Sequence, residues 1–340
     1  MGTPLEDTVG GIRADHRGRV FVMEMRKAID LKLGQYLRLQ LGWRKSLPKE
    51  DRDAIADKAD GLIAIGEAIE KAKADHAKKR QKAIAKGEAP SAEPPPSVAG
   101  QYDELFCRHA DVILATIRAR TPFNDIEAEK IKAMETAVKE LPVYDELKET
   151  PGLKSGLSLA IIVAESSTEQ EGDRLGTLSD YPDHSKLWKR MGVAFMDEDG
   201  VRQGGLLKTA SKDDWIRHGY SRNRRSRLWT IGDTLVKITG PYRDIYLARK
   251  EYERKKAEEA GLMVVPSAKI PKGKHELYRS DGHIHRRAQR YMEKKLLRNI
   301  WKAWRRATVD VVERPRAPLS AASAAPKRPS PTEQRWMDHG

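Results

Sequence analysis

The stretch Thr150-Pro151-Gly152-Leu153-Lys154-Ser155-Gly156, followed by Leu157-Ser158-Leu159-Ala160-Ile161-Ile162-Val163-Ala164-Glu165, sets the architecture expected of the whole chain. Lys148 and Glu149 close a preceding helix. Pro151 and Gly152 break it, because proline lacks an amide hydrogen and glycine tolerates positive φ. Gly156 is a second breaker, and an apolar run of helical length opens behind it. The pattern is helix, tight glycine hairpin, helix. A hairpin of this kind turns backbone N–H groups outward at the start of its second helix. Those donors, the positive helix end and Lys154 suit a phosphate oxygen, a contact that positions a nucleic acid without reading its sequence. The same residues also suit an ordinary αα-turn with a buried second helix. Both readings stand at this point.

Composition bounds the rest. The 340 residues include 34% charged and only 6% aromatic side chains, and the mean hydropathy is −0.68. That favours a mainly α protein with long solvated faces. A net charge of +14 and a pI near 9.6 favour a polyanionic partner, nucleic acid before membrane. No apolar run approaches the length of a membrane span, and the N-terminus lacks the basic-then-apolar order of a signal peptide. The expected setting is therefore intracellular: cytoplasmic and nucleoid-associated. The single cysteine, Cys107, rules out an internal disulfide or a thiolate zinc cluster, and is expected as a buried apolar side chain.

Along the chain, residues up to about Arg19 carry Gly10-Gly11 and mixed charge and read as a loose leader. Phe21 to Leu41 is an amphipathic helix, with Val22, Met25, Ile29, Leu33, Tyr36, Leu37 and Leu41 on one face. A second helix starts at Lys49-Glu50-Asp51, uses Ile55, Leu62, Ile65 and Ile69, and loses its apolar face near Lys73. Glu88 to Gly100, with Pro94-Pro95-Pro96, is a linker. Helices follow over Tyr102–Arg118 and Asp125–Leu141, with Pro122 interrupting between them. The boundaries are thus a helical N-terminal region over 1–87, the linker over 88–100 and a helix-hairpin-helix domain over 101–260. A basic helical extension over 261–312 and a disordered tail over 313–340 complete the chain.

Two basic elements follow the hairpin. Arg217, His218, Arg222, Arg224, Arg225 and Arg227 have Tyr220 and Trp229 among them and no acid between, which reads as a loop wrapping a phosphate backbone or as a solvated surface loop. Leu228–Lys237 is a short helix, and Tyr242–Ala260 a self-stabilised exposed helix or coiled-coil stalk capped by Gly261. Residues 262–271 read as extended linker or edge strand. The final helix, Gly282 to Ala307, carries Arg286, Arg287, Arg290, Lys294 and Arg298 on a basic face with Glu293 its lone acid. Ile284, Ala288, Tyr291, Leu297, Ile300, Trp301 and Trp304 form its apolar stripe. Such a helix suits nucleic acid, with a membrane-surface or calmodulin-like role as the alternative. His283-x-His285 could suggest metal, but no thiol stands near it in sequence, and no metal site is expected there.

Pro151-Gly152-Leu153, Gly156-Leu157, Ala160 and Ala164-Glu165 recur with Leu178-Ser179-Asp180-Tyr181-Pro182 and Lys186-Leu187-Trp188-Lys189-Arg190-Met191-Gly192-Val193. This spaced pattern resembles the start of the C-terminal transposase domain of DEDD-type insertion-sequence transposases. In that family a helix-hairpin-helix with a Pro-Gly-x-Gly turn precedes an acidic-aromatic segment and a Gly-Leu-Ala-Pro turn. The similarity runs to about Arg254, roughly a third of the chain. The resemblance implies DNA transposition or recombination, with duplex DNA as partner. It also implies an RNase-H-like domain whose strand-borne carboxylates hold Mg²⁺. Only Gly11-Ile12-Arg13-Ala14-Asp15 and Val20-Phe21-Val22 faintly suggest such strands, so that domain reads as missing or replaced. The family's serine position falls on Asp199, and a carboxylate attacking a phosphodiester would give a labile mixed anhydride. Ser221 or Ser226 would serve only under a different alignment.

No catalytic residue is therefore expected. The DNA contacts expected are Gly152, Leu153, Lys154, Ser155 and Gly156, then Arg217, Arg222, Arg224, Arg225 and Arg227, then Arg286, Arg287, Arg290, Lys294 and Arg298. No cofactor is evident, and Mg²⁺ enters only if the chain is an active recombinase. An RNA-binding adaptor is the third reading, and the helical regions allow a homo-oligomer.

Overall fold

The computed structural model describes residues 4–89, 104–169, 175–194, 196–198, 201–203, 211, 213, 221–271 and 276–308. Among these the protein is mainly α, as expected. No helix among the described residues is long and apolar enough to cross a membrane. The linker beyond residue 89 and the tail from 313 lie outside the described residues.

The chain divides into two units with separate cores, one formed by Met1–His16 with Ala133–Gly340 and the other by Arg17–Lys132. These boundaries differ from those read from sequence, because two long helices serve both units. The first, α1, runs over Pro4–Gln40, so the expected loose leader is helical. Its early glycines cost about 1 kcal/mol each in a helix. They are outweighed because Val9 and Ile12 sit one turn apart and are fully buried in the first unit's core.

In the second unit α1 is joined by α2, Lys49–Ala85, and by α3, Glu104–Ala137. Leu33, Leu37, Ala59, Leu62, Ile69, Phe106, Ile113, Leu114 and Ile117 form its core. Gly66 permits the closest approach: a Cβ there would lie 2.5 Å from Ile113 Cγ2 and 2.8 Å from Ile117 Cδ1. Pro122 does not end the helix as expected; it lies inside α3. Ion pairs flank it: Arg120 meets Asp30 at 2.7 Å and also Glu67, and Arg26 meets Glu127 at 2.7 Å. Contacts on both sides thus hold the helix through the missing amide. Cys107 is exposed on α3, against the expectation that it is buried.

The first unit continues with a 3₁₀ turn, Val138–Glu140, and with α4, Pro142–Leu147, whose proline takes the first helical position. Then come α5, Leu157–Ser166, an antiparallel pair β1 Thr168–Glu169 and β2 Leu175–Gly176, and α6, His184–Arg190. Strands β3, Met196–Glu198, and β4, Val201–Gln203, pair antiparallel. Glu198 and Val201 are partners on either side of Asp199-Gly200, the expected turn, which itself lies outside the described residues. Helix α7 spans Arg222–Lys237 and α8 spans Pro241–Glu259. Parallel β5, Met263–Val265, and β6, Tyr278–Ser280, lead into α9, Asp281–Thr308.

Helix α9 is the axis of this unit and packs on α4, α6, α7 and α8. Ile284, Ala288, Met292, Leu296, Leu297, Ile300, Ala303 and Trp304 are all fully buried on it. At about 1.5–3 kcal/mol for each large apolar side chain, this stripe outweighs the helix's charge. The expected basic extension is therefore a core helix. The expected stalk, α8, likewise buries Tyr242, Tyr246, Glu253 and Ala257 and is no free coiled coil.

Candidate nucleic-acid interface

The hairpin forms as the sequence suggests. A ladder of turn bonds stiffens it: Thr150 N donates to Leu147 O at 2.9 Å, Leu153 N to Thr150 O at 3.0 Å, and Gly156 N to Leu153 O at 2.9 Å. The Tyr144 hydroxyl donates to Lys154 O at 2.7 Å. Gly152 and Gly156 have φ of 86° and 89°, a region that costs other residues about 1–2 kcal/mol. Packing demands both as well. A Cβ at Gly156 would lie 2.5 Å from Val138 Cγ1, and one at Gly152 would collide with Leu235 of α7. Leu153 is fully buried and pins the turn to the core, while Lys154 and Ser155 stand exposed at its tip. Helix α5 is apolar nearly all round and correspondingly buried. Of the five expected contacts here, Lys154 and Ser155 face solvent and the other three hold the turn in shape.

The expected arginine loop is instead the first turn and a half of α7. Ser221 caps this helix, its Oγ accepting from Arg224 N at 3.3 Å. Four arginines thereby stand at the positive end of the helix dipole, where cations are disfavoured. Carboxylates from other elements compensate. Glu165, at the end of α5, meets Arg227 through Oε1 and lies 3.5 Å from Arg224 Nε through Oε2. Glu293 of α9, itself wholly buried, lies 2.8 Å from Arg225. Arg222 is exposed, and Arg217 lies outside the described residues.

More side chains surround Glu165. His16 Nε2 of α1 is 2.8 Å from Glu165 Oε1. Arg190 of α6 donates through Nη2 to Ser167 O at 2.8 Å, and its own carbonyl accepts from Arg224 Nη1 at 2.9 Å. Burial opposes ionisation of Glu165, but the His16 hydrogen bond and the Arg227 charge outweigh it and hold the carboxyl below its ordinary value. Burial and the neighbouring Arg190 bring Arg224 down to about 10.

On α9 the expected basic face is broken up. Arg286 is exposed. Arg287 lies 3.0 Å from Glu253 of α8, which also meets Arg249 at 2.6 Å. Lys294 is buried with its Nζ 5.2 Å from the Trp188 ring, and burial followed by Arg290 lowers it to about 8. Arg290 and Arg298 are half-buried. Burial pushes Glu293 up to about 7 despite Arg225 and a hydrogen bond from Gln289. His285 pairs with the Tyr246 hydroxyl at 2.9 Å. Among the described residues no three His, Cys, Asp or Glu side chains group as metal ligands.

Sequence inspection missed Glu165, Glu253, Glu293, His16 and Arg190. The signal available was a lone acid inside an apolar or basic helix, as at Glu165 and Glu293, which implies a partner elsewhere in the fold. No protein-family model, curated protein or solved structure matches the chain.

Proposed function

We propose that the protein is a transposase-related DNA-binding protein that grips duplex phosphates through its helix-hairpin-helix and exposed cations, without a cleavage centre of its own. The observation that carries this reading is the hairpin itself. Two left-handed glycines and the buried Leu153 fix a rigid turn, and Lys154 with Ser155 is presented at its exposed tip. The net charge of +14 supports a polyanionic partner. Arg222 of α7 and Arg286 and Arg287 of α9 are the exposed members of the two basic elements, and Arg222 and Arg286 extend the footprint. Arg224 and Arg225 act instead as internal counter-ions, and the exposed Arg287 pairs with the buried Glu253, so all three are poor probes of binding.

The test is duplex binding by fluorescence anisotropy across a salt series, for wild type, Lys154→Glu and Arg286→Ala. Each variant should weaken binding, and each lost phosphate contact should reduce the salt slope by about 1. Tight duplex binding that neither variant changes would remove the hairpin from the interface. Binding of single-stranded or folded RNA in preference to duplex DNA would favour the adaptor. Nicked or joined DNA with Mg²⁺ present would restore the active recombinase.

A further inference from the structure

We propose that the cationic cluster around Glu165 is a subsite for a phosphate-type oxyanion, with Glu165 as the internal counter-ion that such a ligand competes against. Arg224 and Arg227 from α7 converge with the His16 imidazole on one carboxylate, and Arg190 from α6 stands beside Arg224 as a third guanidinium group. Glu165 offers only two oxygens to this group, and Arg227 and His16 share one of them. One donor, Arg190 Nε, and one ring nitrogen, His16 Nδ1, are buried in the interior with no hydrogen-bond partner. His16 as a whole is only 4% exposed, so water does not easily satisfy that nitrogen. Arg227 is a quarter exposed along its side chain, which gives an approach from solvent. Planar guanidinium forks match phosphate oxygens in pairs, and a phosphate presents more oxygens and more charge than a carboxylate. The cluster thus has donors in excess of what Glu165 accepts. The Tyr181 hydroxyl beside it is already committed to Ser166 O at 2.5 Å and serves to hold the end of α5.

The subsite rests on the nucleic-acid reading only for the source of the phosphate, and two arms separate the sources. In the first, inorganic phosphate is titrated calorimetrically into the full chain at constant ionic strength. Wild type should bind, Glu165→Gln should bind about tenfold more tightly because the competing charge is gone, and Arg190→Gln should lose most of the affinity. Circular dichroism verifies that each variant is folded. If Glu165→Gln does not fold, wild-type melting in phosphate against chloride of equal ionic strength replaces it, and a higher Tm in phosphate is expected. In the second arm, duplex DNA is competed with phosphate. Displacement, with weakened DNA binding by Arg190→Gln, assigns the subsite to backbone phosphate. Phosphate binding with DNA affinity unchanged by Arg190→Gln keeps the subsite and assigns it to a small phosphorylated ligand. The DNA-binding proposal then stands or falls on the Lys154 and Arg286 variants. No phosphate binding by folded wild type and no gain in folded Glu165→Gln would make the cluster a structural ion pair and overturn the proposal.

Discussion

Glu293 shows how one buried side chain governs stability. Its ordinary value is 4.5 and burial raises it to about 7 in the folded state. The folded form thus holds its proton more tightly than the unfolded chain does. The associated stability is complete below 4.5 and is lost as pH rises through about 7, an effect on the order of 3 kcal/mol. Chemical denaturation at pH 5 and pH 8 should show this loss in wild type, and Glu293→Gln should flatten it. An unchanged pH dependence in the variant would assign the loss to another group. Gly156→Ala tests the hairpin: positive φ and the clash with Val138 should together cost about 3 kcal/mol. Variant melts within error of wild type would show that the turn tolerates a Cβ. This residue was legible in the sequence because a glycine beside a Pro-Gly break is a local backbone constraint. The carboxylate partners of the arginines were not, since Glu165 precedes Arg227 by 62 residues and Glu293 follows Arg225 by 68.

Helices were legible as elements where apolar spacing set them, and less so where a breaker had to be weighed against packing. Pro122 lies inside α3 because contacts before and after it outweigh one lost hydrogen bond. Pro122→Ala should restore a donor to the Arg118 carbonyl and stabilise the protein by about 2 kcal/mol after the added unfolded-state entropy is counted. A Tm at or below that of wild type would show that the packing requires the break. The start of α7 suits a loop in sequence because its arginines favour solvent and oppose the dipole; the Ser221 cap and the carboxylates of other elements make it a helix. Arg225→Ala should therefore destabilise the fold by about 3 kcal/mol, by leaving Glu293 buried without its cation. The same substitution in a purely electrostatic DNA contact would leave the melting temperature alone. Helix α9 suits a surface extension by its basic residues, but its continuous apolar stripe is what the fold buries.

The whole chain carries two cores, and each reports on itself. Trp188, Trp229, Trp301 and Trp304 belong to the first unit, whereas Trp43 belongs to the second. Leu62→Ala, in the second core, should cost 2–5 kcal/mol by the usual range of about that size for a buried leucine. In urea its helical signal by circular dichroism should begin to fall before tryptophan fluorescence changes. Coincident transitions would mean that the two cores melt as one. The mainly α class was readable from composition, whereas the two-unit division was not, because α1 and α3 each run through both and no break in sequence marks the passage. The internal arginine–carboxylate pairs also bear on how this sequence can drift. Losing Glu165 first strands several guanidinium groups, and losing Arg225 first strands Glu293, so neither partner is free to vary alone. Such positions are expected to change in concert across descendants of this chain. They would leave a covariation signature linking α5 to α7 and α7 to α9.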